Sequence, residues 1–304
     1  MLQSSYIKEN SPVELVNHPL LEQHGVNLMI KRDDLIHPHI SGNKWRKLKY
    51  NLQAAQEQDH DTVLTFGGAF SNHIVATAVC SSLAGFNSVG VIRGEEAYAT
   101  NPTLSLAAEH GMQLHFVSRE EYRRKDQPDF LEMLAQKFGG CFVIPEGGGN
   151  ELGQKGCQEI IADLDRSFDY VAVAMGTGTT FLGLLDASRG TAMKVLGFPV
   201  IKKFNELDNQ LSAHSDRESY QLIKDYHFGG YAKFTNGLVT FINEFRHHTG
   251  VALDPIYTGK MMYGLFDLIS MGYFPVGSDI LAIHTGGLQG IKGFNQMNGD
   301  LIDE

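Results

Sequence analysis

The sequence predicts an open α/β fold with parallel strands, and three observations point to it. Short apolar runs alternate with helical stretches along all 304 residues. The runs are continuous and rich in β-branched residues, as in strands buried on both faces. Glycine-containing segments stand at the ends of most runs, where open α/β sheets gather their ligands.

The elements follow in order. A first run at 28–31 leads toward Ser41-Gly42-Asn43-Lys44-Trp45-Arg46-Lys47-Leu48, a turn that opens a helix. The run at 62–66 passes into Gly67-Gly68-Ala69-Phe70-Ser71-Asn72-His73, again at a helix start. After the run at 88–92, Asn101-Pro102 reads as an N-cap with proline at the first helical position. The run at 113–117 ends at Ser118-Arg119, and one helical pattern continues from there to Phe138. A run at 142–144 is followed by Asn150-Glu151, which opens another helix. The strongest run, 170–174, enters Met175-Gly176-Thr177-Gly178-Thr179-Thr180 and then an apolar helix. Runs at 194–198 and 280–283 complete the strands, the last ending in His284-Thr285-Gly286-Gly287. Before it, Asp254-Pro255-Ile256-Tyr257-Thr258-Gly259-Lys260 places a tyrosine and a threonine at a helix start. There is no internal repeat and no low-complexity tract.

Composition narrows the function classes. Hydrophobic residues make up 42% and charged residues 20%, the balance of an ordinary enzyme with a sizeable core. Lys plus Arg is 25 against 35 for Asp plus Glu, a net charge of -10. That argues against a nucleic-acid partner and against a polybasic membrane surface. No apolar run reaches spanning length and no secretory signal opens the chain, so a cytoplasmic protein is expected. Cys80, Cys141 and Cys157 are scattered and odd in number, which suits a reducing compartment and gives no disulfide framework. His247-His248 and the His37-Pro38-His39 pair lack a carboxylate or cysteine at ligand spacing, so no metal is expected.

Five segments are candidates to carry chemistry. Lys44, on a Gly-Asn turn, reads either as a solvated charge or as a Schiff-base nucleophile aimed into a cleft. Basic residues sit poorly at a helix N-terminus, which weakens the first reading. Ser71 and Asn72 place small hydrogen-bonding groups at a helix N-terminus that can take a carboxylate; a serine cap is the structural alternative. Gly176, Thr177, Gly178, Thr179 and Thr180 make a phosphate cradle of backbone amides and hydroxyls. It lacks the lysine of a nucleotide-triphosphate loop and departs from the dinucleotide fingerprint, which leaves a smaller phosphate. Tyr257 and Thr285 each have a structural reading when taken singly.

Together these segments resemble the pyridoxal-phosphate enzymes of the D-cysteine desulfhydrase and 1-aminocyclopropane-1-carboxylate deaminase family, which has the tryptophan-synthase-β-like fold. The likeness runs in order from about Ser11 to Gly287. It implies two parallel-sheet α/β domains with pyridoxal 5'-phosphate in the cleft between them. The small domain is expected at 47–146, and the large one from 1–46 together with 147–304. The family's cofactor-linked lysine falls on Lys44, and its substrate-side serine on Ser71. The asparagine near the cofactor falls on Asn72, the phosphate loop on Gly176 to Thr180, and the active-site tyrosine on Tyr257. His73 joins Ser71, Asn72 and Tyr257 as a substrate-binding residue, and Thr258 or Thr285 is expected to face the pyridine nitrogen.

Within the family, deaminase-type members are expected to carry glutamate at Thr258, glutamine at His73 and leucine at Thr285. All three positions side with the desulfhydrases. Ala69-Phe70 departs from both, since a β-branched residue and glutamine are expected before the serine. The resemblance thus implies β-elimination from a small amino acid, D-cysteine foremost, giving pyruvate, ammonia and sulfide, by a homodimer. Ring-opening of the cyclopropane acid on the same site is the alternative, and a non-catalytic ligand-binding α/β protein is a third.

Overall fold

Apolar runs that cannot face water on either side become strands covered by helices on both faces. The computed structural model describes residues 7–40, 42–162, 164–201, 211 and 218–303; Ser41, the first residue of the lysine turn, lies outside them. The chain begins β1 (Val13–Leu15), α1 (Pro19–His24), β2 (Asn27–Lys31) and α2 (Asn43–Glu57). It continues with β3 (Thr62–Gly68), α3 (Asn72–Ala84), β4 (Asn87–Arg93), α4 (Pro102–Glu109) and β5 (Met112–Val117). Then come α5 (Arg119–Tyr122), α6 (Pro128–Lys137), β6 (Phe142–Ile144), α7 (Glu151–Ala162), β7 (Tyr170–Met175) and α8 (Thr179–Ala187). The last are β8 (Lys194–Pro199), β9 (Tyr220–Leu222), α9 (Asn236–Thr249), α10 (Thr258–Ser270), β10 (Asp279–Ile283) and α11 (Gly290–Asn298).

The strands sort into two sheets, β1-β2-β10-β7-β8-β9 and β5-β4-β3-β6. All neighbours run parallel except β1, which pairs antiparallel with β2. Side chains alternate across each sheet with the period of two that a strand imposes. In the larger sheet Leu28, Ile30, Ala172, Ala174, Ile280 and Ala282 face one apolar cluster. Met29, Val171, Val173, Met175, Leu281 and Ile283 face the other. In the smaller sheet Val63 and Ile144 pack with Trp45, Leu48 and Leu52 of α2, whereas Leu64, Phe66, Val89 and Val91 pack with Phe130 and Leu134 of α6. All strands of the smaller sheet lie between Thr62 and Ile144.

Two features differ from expectation. β1 and β9 are additional, three residues each, at the two edges of the larger sheet. The helical pattern after Ser118 divides into α5 and α6, because Pro128 has no N–H to continue the ladder. The N-cap at Asn101 forms as expected, its side chain accepting from Leu104 N at 2.9 Å. The three cysteines are free and buried, and burial raises each thiol's pKa.

Parallel order brings the carboxyl ends of the strands to one side of each sheet. The turn after β3 carries Ser71, that after β7 carries Gly176 to Thr180, and that after β10 carries Thr285.

Candidate active site

Gly42 makes the turn that starts α2. Its φ is +63°, and a Cβ on it would lie 2.0 Å from Thr285 O, so only glycine lets the chain press onto the end of β10. Gly42 N donates to Asp33 O at 2.7 Å, and Arg46 reaches both carboxylate oxygens of Asp33 at 3.2 Å. The first turn of α2 is fixed by these bonds, and Lys44 with it. Lys44 Nζ donates to Asn43 Oδ1 at 2.7 Å, and Asn43 Nδ2 donates to Thr180 Oγ1 at 2.8 Å. Asn43 thus ties the lysine to the glycine-threonine loop.

Burial, and then the positive charge of Lys47, bring the Lys44 pKa from 10.5 down to about 7; Cys157 and Asp254 oppose this less strongly. A free amine therefore exists near neutral pH, as a Schiff-base nucleophile requires. Part of the side chain stays open to the cleft. Lys47, one turn further on the same helix face, is buried, and burial lowers its pKa too. Among the described residues its ammonium makes no hydrogen bond. A Cβ on Gly148 would lie 2.9 Å from Lys47 Cβ and 3.6 Å from His73 Cε1, so the loop after β6 closes over both side chains.

The loop after β7 turns at Gly178, φ +89°, into α8. The first N–H groups of a helix have no partner within it. Thr177 and Thr179 hydroxyls lie 3.0 Å apart, and a Cβ on Gly176 would lie 3.2 Å from Tyr257 Cε1. The phosphate-sized cradle and the tyrosine are therefore adjacent.

Tyr257 precedes α10, and Asp254 arranges that helix start. Asp254 Oδ1 accepts from Ile256 N and Tyr257 N, and Oδ2 accepts from Thr258 N and the Thr258 hydroxyl, at 2.7 to 2.9 Å. Thr258 Oγ1 also accepts from Asp254 N at 3.0 Å and is fully buried. Its one hydrogen is spent. Thr285, in contrast, makes no hydroxyl hydrogen bond among the described residues and is 7% exposed. Of the two threonines expected to face a ring nitrogen, Thr285 is the one with a hydroxyl available. Burial, then Tyr231 and Asp254, raise the Tyr257 pKa well above 10, so its hydroxyl stays protonated. The ring of Tyr231 meets that of Tyr257 edge-on at 6.2 Å. Lys260 holds the segment before Tyr231 by donating to His227 O at 3.0 Å and Gly230 O at 2.8 Å.

From the smaller sheet, Ser71 caps α3, its Oγ accepting from Ile74 N at 3.4 Å. Asn72 reaches the turn after β10: a Cβ on Gly287 would lie 3.2 Å from Asn72 Nδ2 and 3.4 Å from Asp254 Oδ2. His73 lies behind this turn, 2% exposed. Thr65 gives its hydroxyl hydrogen to Ile144 O at 2.8 Å, so His73 Nε2, 2.8 Å from Thr65 Oγ1, is the donor to that hydroxyl. That leaves Nδ1 a bare lone pair, and it has no partner. Burial, then Lys44 and Lys47, keep the ring neutral.

The structure thus brings Lys44, Asn72, Tyr257, Thr285 and the loop 176–180 to one cleft, with His73 and Thr258 buried in its walls. The sequence reading assigned no role to Lys47, Tyr231, Asp254 or Asn43. Lys47 carried a signal, three residues after Lys44 on one helix face; Tyr231, on an irregular loop, carried none. The donor set fits pyridoxal phosphate. A buried ammonium with no hydrogen bond and unpaired helix amides suit its phosphate, an amine available near neutral pH suits its aldehyde, and a free hydroxyl suits its ring nitrogen.

Comparison with known proteins agrees with that fit. The sequence pattern described as pyridoxal-phosphate dependent enzyme matches residues 8–286. The chain is 34% identical over 311 residues to the bifunctional D-cysteine desulfhydrase/1-aminocyclopropane-1-carboxylate deaminase, mitochondrial, of Arabidopsis thaliana, covering 92% of this chain and 77% of that one. It is 29% identical to the D-cysteine desulfhydrase of Serratia proteamaculans, covering 91% of each. Among solved structures an ACC deaminase homologue superposes with a TM-score of 0.83 at 29% identity, over 98% of this chain and 95% of that one. O-ureido-L-serine synthase, at 16% identity and a TM-score of 0.73, shares the fold.

Proposed function

Since this chain belongs to the pyridoxal-phosphate dependent enzymes, we propose that it breaks down a small amino acid by β-elimination, D-cysteine foremost, to pyruvate, ammonia and sulfide. The observation that carries the reading is the Lys44 amine, its pKa lowered to about 7, tied through Asn43 to the loop 176–180 that Tyr257 also meets.

Bound pyridoxal phosphate supplies an electron sink for the loss of an α-proton and a β-substituent. The chain's residues do the rest. Lys47, the amides at the start of α8 and the hydroxyls of Thr177, Thr179 and Thr180 hold the phosphate. Lys44 would hold the cofactor through its aldehyde, and its free amine, or a neighbouring hydroxyl, would take the α-proton; for the amine a pKa of about 7 is well matched. Ser71 and Asn72 receive the substrate carboxylate at the N-terminus of α3. His73 supports them from behind. Tyr257, protonated throughout the physiological range, gives a hydrogen bond to the departing sulfur and does not act as a base. Thr285 meets the ring nitrogen with a neutral hydroxyl, and Thr258 keeps Asp254 in place. A neutral partner does not hold that nitrogen protonated, which suits a good leaving group such as thiolate better than a carbon–carbon bond.

We propose further that residues 47–146 form a small domain and that the chain acts as a cytoplasmic homodimer. Among the described residues no helix is long and apolar enough to cross a membrane. Ring-opening of 1-aminocyclopropane-1-carboxylate is the second reading, favoured by the Arabidopsis relative's double name. A screen of D- and L-cysteine, D-serine, chloroalanine and the cyclopropane acid tests the choice. Pyruvate from D-cysteine should form fastest; faster 2-oxobutyrate from the cyclopropane acid overturns it.

A further inference from the structure

The turn that carries Ser71 and Asn72 also carries Phe70, and that ring crosses to the other side of the cleft. It meets Tyr98 edge-on, with centroids 6.3 Å apart, and packs against the cluster of Ala69, Ile74 and Leu104. Its opposite face lies on α11: a Cβ on Gly293 would stand 3.2 Å from Phe70 Cδ1 and 3.5 Å from Cε1. Asn72 makes the same kind of contact with two earlier glycines at the same three-residue spacing. A Cβ on Gly287 would lie 3.2 Å from its Nδ2, and one on Gly290 would lie 3.7 Å from its Oδ1. Asn101 Nδ2 donates to Ala69 O at 3.0 Å and holds the turn from behind. The turn carrying Phe70 and Asn72 is thus seated on Gly287, just before the larger sheet's last helix, and on Gly290 and Gly293 within it. Phe70 is half-buried, with Tyr98 and Gly293 as neighbours.

We propose that Phe70 is a positioning residue: seated on Gly293, its ring sets how deeply Ser71 and Asn72 enter the cleft, and so the space left for the amino-acid substrate opposite Tyr257. The inference rests on the reading of Ser71 and Asn72 as substrate-binding residues. A methyl group at Gly293 presses on an aromatic edge in a packed setting, and overpacking of this kind displaces neighbours. The substrate pocket is narrowed or widened by the seat beneath the turn, not by a side chain in the pocket.

The test uses the holoenzyme with Gly293→Ala and with the double variant Phe70→Leu/Gly293→Ala, whose smaller side chain makes room for the methyl group. Two readouts are taken: amide hydrogen exchange across 66–76 without substrate, and steady-state kinetics on the best amino acid of the screen. Gly293→Ala should speed exchange in the first turn of α3 and raise KM about tenfold, with kcat and cofactor content unchanged. The double variant should return both toward wild type. Unchanged exchange in Gly293→Ala overturns the seat itself. Faster exchange with unchanged KM overturns its link to substrate, and a KM defect that the double variant does not relieve overturns the role of Phe70. If wild type turns over no amino acid, the proposed function fails, and the seat stands or falls on the exchange result alone.

Discussion

The walls of the cleft treat their buried polar groups in opposite ways. On the side of the six-stranded sheet, Asp254 takes four hydrogen bonds and Lys260 gives its ammonium to two carbonyls. On the side of α2 and α3, His73 Nδ1 has no partner and the Lys47 ammonium makes no hydrogen bond among the described residues. A buried group left unbonded costs free energy. Around Asp254 and Lys260 the first wall's bonds are complete as the chain folds, and this cluster serves as a frame. On the proposed reading, Lys47 in the second wall finds its partner in the cofactor phosphate.

Breaking the reactive centre of the second wall has the largest effect. Lys44→Ala should lower keto-acid release about a thousandfold, in the range of a lost general base, and abolish the visible band of the lysine-linked cofactor. Borohydride reduction and peptide mapping check the assignment in wild type; a label on Lys260 instead of Lys44 defeats it.

Lys47→Met should weaken cofactor binding about tenfold to a hundredfold, the worth of a charged hydrogen bond. Titration of the cofactor against the fluorescence of Trp45, the one tryptophan, reads this directly. The same substitution should raise the stability of the cofactor-free protein, because an unpaired buried charge is removed. Loss of stability in Lys47→Met would place Lys47 with the frame.

Asp254→Asn sharpens the comparison from the other wall. It should cost about 2 kcal/mol in denaturant unfolding, cofactor present or absent, because the amide cannot accept all the bonds at the start of α10. Equal stability with weakened cofactor binding would move Asp254 to the second wall.

The smallest effect is a shift in pH dependence. Lys44 titrates at about 7, so the rate at which cofactor-free protein captures the aldehyde should rise as pH passes upward through 7 and level off above it. Lys47 is a like charge that holds this value down; its removal favours the ammonium form. The midpoint in Lys47→Met should therefore move up, by about one unit or less. A midpoint that stays or falls contradicts the coupling.

The two walls were unequally legible in the sequence. Eight strands could be read because each is a short, largely apolar run, and the central ones are buried on both faces. Val13–Leu15 and Tyr220–Leu222 could not, since three residues at a sheet edge make no pattern. Lys44, Ser71 and the loop 176–180 stood out because glycine must precede a close backbone approach. Tyr231 owes its place to contacts made across the chain, leaning on Tyr257 where Lys260 grips nearby carbonyls, and no local periodicity encodes it. Asp254 binds only within four residues, at its own helix start, where an acidic residue is a local capping signal. Thr258 shows the reverse limit, for the motif was visible but the direction of its hydrogen was not.

The burial of all three cysteines bears on how such a protein survives its own chemistry. Thiol–disulfide exchange needs a thiolate and access to it. Cys80, Cys141 and Cys157 offer neither, since each is enclosed and its pKa is raised. An enzyme acting on cysteine and releasing sulfide works in a bath of small nucleophilic sulfur compounds and their oxidised forms. With no accessible thiol among the described residues, the substrate and product of the proposed reaction cannot form mixed disulfides with these cysteines while the fold holds. Its persistence as a catalyst is then tied to conformational opening rather than to the redox state of its surroundings.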